Sequence, residues 1–170
     1  MIEYTRANGC NVVSLEVPGR LEYRDIVLRT VSASCKLVLP KSRGRRSRNS
    51  EFTIHIVSAV GEAYNNIVIH GYAGRQPESI RLRIESCQEW MRVIVMDTGT
   101  SFDPTQARPP DMDALPESGL GIYIMRSFVD EVSYVPGSHG SPNILTLFKS
   151  LDGSHKRGIS LNAPFERKTG

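Results

Sequence analysis

Phe52-Thr-Ile-His-Ile-Val-Ser-Ala-Val-Gly-Glu62-Ala-Tyr-Asn-Asn66-Ile67 sets Ile56, Val57, Val60, Ala63, Tyr64 and Ile67 at helical spacing. That periodicity predicts a helix from Phe52 to Ile67 with one face on a core. Glu62 and Asn66 lie one turn apart, about 40° from each other and off the apolar stripe. They can share one polar site.

Upstream, Asn11 to Val17 reads as a strand that Pro18-Gly19 ends. Tyr23, Val27, Val31 and Cys35 recur every four residues between Leu21 and Leu39, an amphipathic helix stopped by Pro40. The Ser-rich, basic stretch from Lys41 to Ser50 has no apolar residue and reads as a loop. Downstream, Ile80 to Ile84 alternates strictly and Met91 to Met96 is a more continuous apolar run, a half-solvated strand and a buried one joined as a hairpin. Residues 100 to 118 hold four prolines and little periodicity, which suits a mobile loop. Ile122, Met125, Phe128 and Val129 restore the helical period, and Val132–Val135 and Ile144–Phe148 supply two more strands. The order β-α-α-β-β-α-β-β predicts an α+β, two-layer α/β sandwich over residues 1–150. Residues 151–170 form a polar tail.

With 170 residues, 39% hydrophobic and 23% charged, the chain has the composition of an ordinary soluble domain. No apolar run approaches the ~20 residues of a membrane span, and the first twenty residues lack the apolar centre of a secretory signal. A cytoplasmic location without membrane contact is expected. Cys10, Cys35 and Cys87 are widely spaced without a CxxC pair, so reduced, half-buried thiols are expected in place of a disulfide or zinc site. Lys41, Arg43, Arg45, Arg46 and Arg48 carry the basicity; without these five the net charge of +3 becomes −2. A cluster so local, with no interleaved aromatics, suits docking on an acidic protein patch better than direct nucleic-acid binding.

Three segments carry chemistry. The oxygen of Asn66 is a hard ligand suited to Mg²⁺, and the Glu62 carboxylate can accept a proton from a hydroxyl or align it. On this helix alone a solvated face is the simpler reading; the two downstream segments reverse that balance. Asp97-Thr-Gly99-Thr-Ser-Phe102-Asp-Pro104 follows the buried strand, where a carboxylate can accept the exocyclic amino proton of adenine and Gly99 permits close backbone approach. An Asx turn closing the strand is the alternative. Gly119-Leu120-Gly121 opens the last helix, where backbone N–H groups and the helix dipole favour phosphate oxygens. Taken alone, a flexible linker is the better reading of those glycines.

In this order the three segments resemble the N, G1 and G2 boxes of the GHKL ATPase and kinase superfamily, and more narrowly the bacterial anti-sigma-factor serine/threonine kinases. The resemblance covers roughly residues 11 to 149. It implies a Bergerat-type fold with a mixed, mostly antiparallel sheet and helices on one face, binding ATP or ADP with Mg²⁺. It further implies Glu62 as catalytic base or aligner and Asn66 as metal ligand. Asp97, Gly99 and Phe102 fall on the base side of the nucleotide, and Gly119, Leu120 and Gly121 on the phosphates. The proline-rich stretch corresponds to an ATP lid. His70 reads either as a helix-end residue or as a phosphate or lid contact, and Arg126 is ambiguous in the same way. Implied partners are a sigma factor, an anti-anti-sigma antagonist of STAS type and a second copy of the chain. The chain departs from the pattern at Ser101, where other branches have a third glycine, and at Glu117, where some relatives carry a basic residue. Phosphotransfer distinguishes this reading from a nucleotide-responsive binding module.

Overall fold

The computed structural model describes residues 1–7, 9–38, 46–106, 120–138 and 140–151, with the backbone alone for 46–49. It contains strands β1 (Ile2–Ala7), β2 (Cys10–Pro18), β3 (Ser79–Ser86), β4 (Trp90–Asp97), β5 (Glu131–Val135) and β6 (Asn143–Ser150). Helices α1 (Arg24–Val38), α2 (Arg46–Asn66) and α3 (Leu120–Phe128) complete it. The strands form one sheet in the order β1-β2-β3-β4-β6-β5. Every neighbouring pair is antiparallel, so the sheet is not mixed.

Register explains the layers. Leu15 faces Leu82, Leu82 faces Val95, and Val93 lies between Ile84 and Leu147, so the alternating apolar residues of four strands share one face. Val27 and Val31 of α1, Ile56 and Val60 of α2 and Met125 of α3 join that face in one core. Full burial of each such side chain contributes roughly 1.5–3 kcal/mol. The opposite face is polar at its centre, where Glu85 accepts from Arg83 Nε and Arg92 Nε, each at 2.8 Å. This is the expected two-layer sandwich.

Three expectations are corrected. First, β1 precedes the predicted elements, joined to β2 by a tight turn that includes Gly9 at φ 78°. All six β1 residues are exposed, so no core-facing alternation marked it. Second, α2 begins at Arg46, inside the stretch read as a loop. Arginine and serine do not break helices, and the apolar stripe marks only the part that packs. Third, Cys10 and Cys87 form a disulfide, their Cα atoms 4.4 Å apart. The pairing depends on the β2–β3 register, since 77 residues separate them in sequence. Cys35 alone is a free, buried thiol, pushed up to about 12 by desolvation. No described helix is long and apolar enough to cross a membrane.

Candidate functional site

Two faces of α2 serve different ends. Tyr64, 1% exposed, packs in the core and donates its hydroxyl to the carbonyls of Pro18 and Arg20 at 3.0 and 2.8 Å. Glu62 and Asn66, half-buried, point out of that packing. Beyond Asn66 the helix widens into one π turn, Ile67–Gly71, the kind of local widening that recurs at functional sites.

The π turn holds the segment after β4. Thr100 N donates to Gly71 O at 2.8 Å, and a Cβ on Gly99 would lie 2.8 Å from that same carbonyl oxygen. The close approach Gly99 permits is therefore to this chain's own Gly71. Asp97, 6% exposed, ends β4; its Oδ1 accepts from Gly99 N at 2.8 Å and from Asn143 Nδ2 at 2.9 Å. No hydrogen bond from a described residue reaches Oδ2. Burial pushes the Asp97 carboxyl above its ordinary value, against the hydrogen bonds of Asn143 and Gly99, which favour the ionised form.

Asn66, Asp97 and Phe102 line one cavity, walled by Ala63, Ile67, Met125 and Leu145. An apolar slot with a carboxylate at one wall suits a flat heterocycle that carries an amino group. Phe102 is 52% exposed, and its N–H donates to Tyr134 Oη at 3.0 Å. Among the described residues Asn66 Nδ2 is buried without a hydrogen-bond partner, an uncommon state for a buried polar atom. An amide held this way is ready to meet phosphate or, through its oxygen, a cation.

Glu62 sits at the other side, against α3. A Cβ on Gly121 would fall 2.5 Å from Glu62 Oε2, so a side chain there would displace the carboxylate. Leu120, 40% exposed, opens α3, while Gly119 lies outside the described residues. So do residues 107–118, most of the lid stretch, and Lys41 to Arg45. At its start, Asp103 accepts from Thr105 Oγ1 at 2.6 Å, which holds its carboxyl below the ordinary value. His70 is exposed at the π turn, its carbonyl accepting from Ala73 N at 3.3 Å. Arg126 is exposed on α3.

The structure thus brings Asn66, Asp97 and Phe102 to one cavity and Glu62 to Gly121 beside it. Asn143, Tyr134 and Gly71 escaped the sequence reading. Asn143 carries a faint signal, a polar residue between Ser-Pro and an apolar run, but its partner is set only by the β4–β6 register. Among the described residues no group of three or more His, Cys, Asp or Glu could cage a metal. A cation at Asn66 would take its other ligands from phosphates and water, which is how Mg²⁺ usually binds.

Residues 30–149 match the family described as histidine kinase-like ATPase domain. The chain belongs to that family, and its nucleotide-binding fold is thereby assigned. Within it, the similar proteins are anti-sigma factors and serine kinases. The chain is 29% identical to the serine-protein kinase RsbW of Bacillus subtilis over 74% of its own length and 78% of that protein's. It is 34% identical to the serine/threonine-protein kinase BtrW of Bordetella bronchiseptica, over 54% of this chain and 66% of that one. Against the anti-sigma F factor of Bacillus cytotoxicus the identity is 32%, over 56% and 68%. This is the bacterial anti-sigma-factor kinase family, and the protein is an ATP-dependent serine/threonine kinase by that membership.

Proposed function

We propose that this protein binds Mg-ATP, sequesters a sigma factor, and phosphorylates a serine or threonine on a small anti-anti-sigma antagonist of STAS type. One observation carries the nucleotide half of this reading. A buried carboxylate with one oxygen uncommitted and a buried amide Nδ2 without a partner, both among the described residues, stand on the wall of a single apolar cavity. Asp97 Oδ2 accepts the adenine amino proton, and the aliphatic wall covers the ring. Asn66 holds the cation, and the start of α3 with Gly119, Leu120 and Gly121 faces the phosphates. Bound Mg-ATP supplies the phosphoryl group and the charge that neutralises it. Glu62 accepts or aligns the proton of the attacking hydroxyl, and Gly121 keeps room for it. Similarity to anti-sigma factors and serine-protein kinases supports a sigma-factor partner and a protein substrate. The STAS type of the antagonist, a homodimer and a cytoplasmic location complete the proposal.

The test is transfer itself. Purified protein with γ-labelled ATP, Mg²⁺ and candidate STAS-type antagonists is expected to yield phosphoserine or phosphothreonine on one of them. Nucleotide-dependent sigma-factor binding with no transfer to any antagonist would replace the kinase by a regulatory binder.

A further inference from the structure

Asn143 is the most fully committed polar side chain in the site. It opens β6 directly opposite Asp97 at the end of β4 and is 3% exposed. Its Nδ2 donates to Asp97 Oδ1 at 2.9 Å and to Gly99 O at 3.0 Å. Its Oδ1 accepts from Ser101 Oγ at 2.6 Å and from Gly137 N at 2.8 Å. A carboxamide offers two donors and one oxygen with two lone pairs, so its capacity is used completely. Orientation is also determined by these partners, since the flipped amide would turn its oxygen on a carboxylate and a carbonyl.

We propose that Asn143 is the positioning residue that sets nucleobase selectivity, leaving Asp97 a single outward, ionised acceptor for a 6-amino purine. This rests on the reading that Asp97 faces adenine. The Asn143 donor on Oδ1 does two things. It opposes the burial that drives Asp97 towards its neutral form, and together with Gly99 N it fills Oδ1 and leaves Oδ2 for the base. A neutral Asp97 would carry a proton on its carboxyl and could donate to the carbonyl of a 6-oxo purine. Selectivity for the 6-amino base therefore depends on a residue that itself has no hydrogen-bonding capacity left for the base. The Ser101 and Gly137 contacts hold the amide from behind, so that it cannot swing away from Asp97.

The test measures dissociation constants for ATP and ITP, which differ at the 6-position, in the wild type, Asn143→Asp and Asn143→Leu. Wild type is expected to prefer ATP by about tenfold or more, the usual worth of a mismatched buried hydrogen bond. In Asn143→Asp two facing carboxyls share a proton, and in Asn143→Leu the side-chain donor to Asp97 is gone at similar volume, with Gly99 N alone left on Oδ1. Both should lose most of the ATP-over-ITP ratio. Parallel weakening of the two nucleotides at an unchanged ratio would make Asn143 a structural staple only and overturn the inference, while leaving Asp97 as the adenine reader. A wild type without preference would remove both readings together. Should the variants fail to fold, the wild type still decides by side-chain amide NMR. The Asn143 Nδ2 protons should shift on adding ATP and stay in place with ITP, and equal response to the two nucleotides overturns the proposal.

Discussion

The two halves of the site differ in how far their polar groups are already satisfied. Around Asp97, four hydrogen bonds on Asn143 and the Thr100–Gly71 contact form a closed network before any ligand arrives. Around Glu62 and Asn66 fewer commitments are made among the described residues: Asn66 Nδ2 is buried without a partner there, and Glu62 rests against a glycine. A corner satisfied except at one outward oxygen recognises one shape with little rearrangement, whereas an unsatisfied one waits for groups that the ligand brings. The satisfied half lies at the ends of β4 and β6, and the other on the last turns of α2.

The sharpest way to break this contrast is Glu62→Gln, which keeps size and hydrogen bonding but removes the proton acceptor. Single-turnover transfer should fall about 10²- to 10⁴-fold with ATP affinity little changed. An unchanged rate would take Glu62 out of the chemistry. Next is Asp97→Asn, expected to weaken ATP by roughly 1 to 3 kcal/mol in calorimetry because a donor now meets the adenine amino group. Gly99→Ala tests the closed corner by crowding, with the new Cβ 2.8 Å from Gly71 O and 3.0 Å from Asp97 Oδ1. Its Cβ would strike backbone, not a flexible side chain, so a stability loss of about 1–3 kcal/mol is expected in denaturant melts. An unaltered midpoint would mean the corner yields freely.

Acidification gives a smaller, graded effect with a definite sign. Burial raises the Asp97 pKa in the folded protein, so the fold binds that proton more tightly than the unfolded chain. The ionised group therefore costs stability above the folded pKa, and the cost is relieved as pH falls through it. ATP affinity moves the other way, because protonation removes the acceptor. It should begin to fall at a pH above the ordinary aspartate value of 3.8. Flat affinity across that range would argue against an ionised reader. The smallest effect belongs far from either half. Asp25→Asn on α1 breaks an exposed pair with Arg29 and should change stability by about 0.5 kcal/mol or less.

What could be read beforehand follows the same division. The helix carrying Glu62 and Asn66 was legible because its apolar stripe packs on the core, as were the strands whose alternation meets that helix layer. β1 was not, since a strand exposed along its whole length leaves no burial pattern. The first turns of α2 were hidden for a similar reason. Asn143 and the Cys10–Cys87 bond both depend on strand register between distant segments, which periodicity within one segment does not encode. Gly99 was noticed, but its true neighbour, Gly71, belongs to a π turn without a sequence signature.

The division of labour between the halves is tested most directly by calorimetry of ADP with and without Mg²⁺, in Asn66→Ala beside Asp97→Asn. Asn66→Ala should abolish the magnesium dependence and leave metal-free ADP affinity close to wild type, while Asp97→Asn should weaken ADP equally with and without the metal. Loss of metal-free affinity in Asn66→Ala as large as in Asp97→Asn, with magnesium dependence intact, would contradict it.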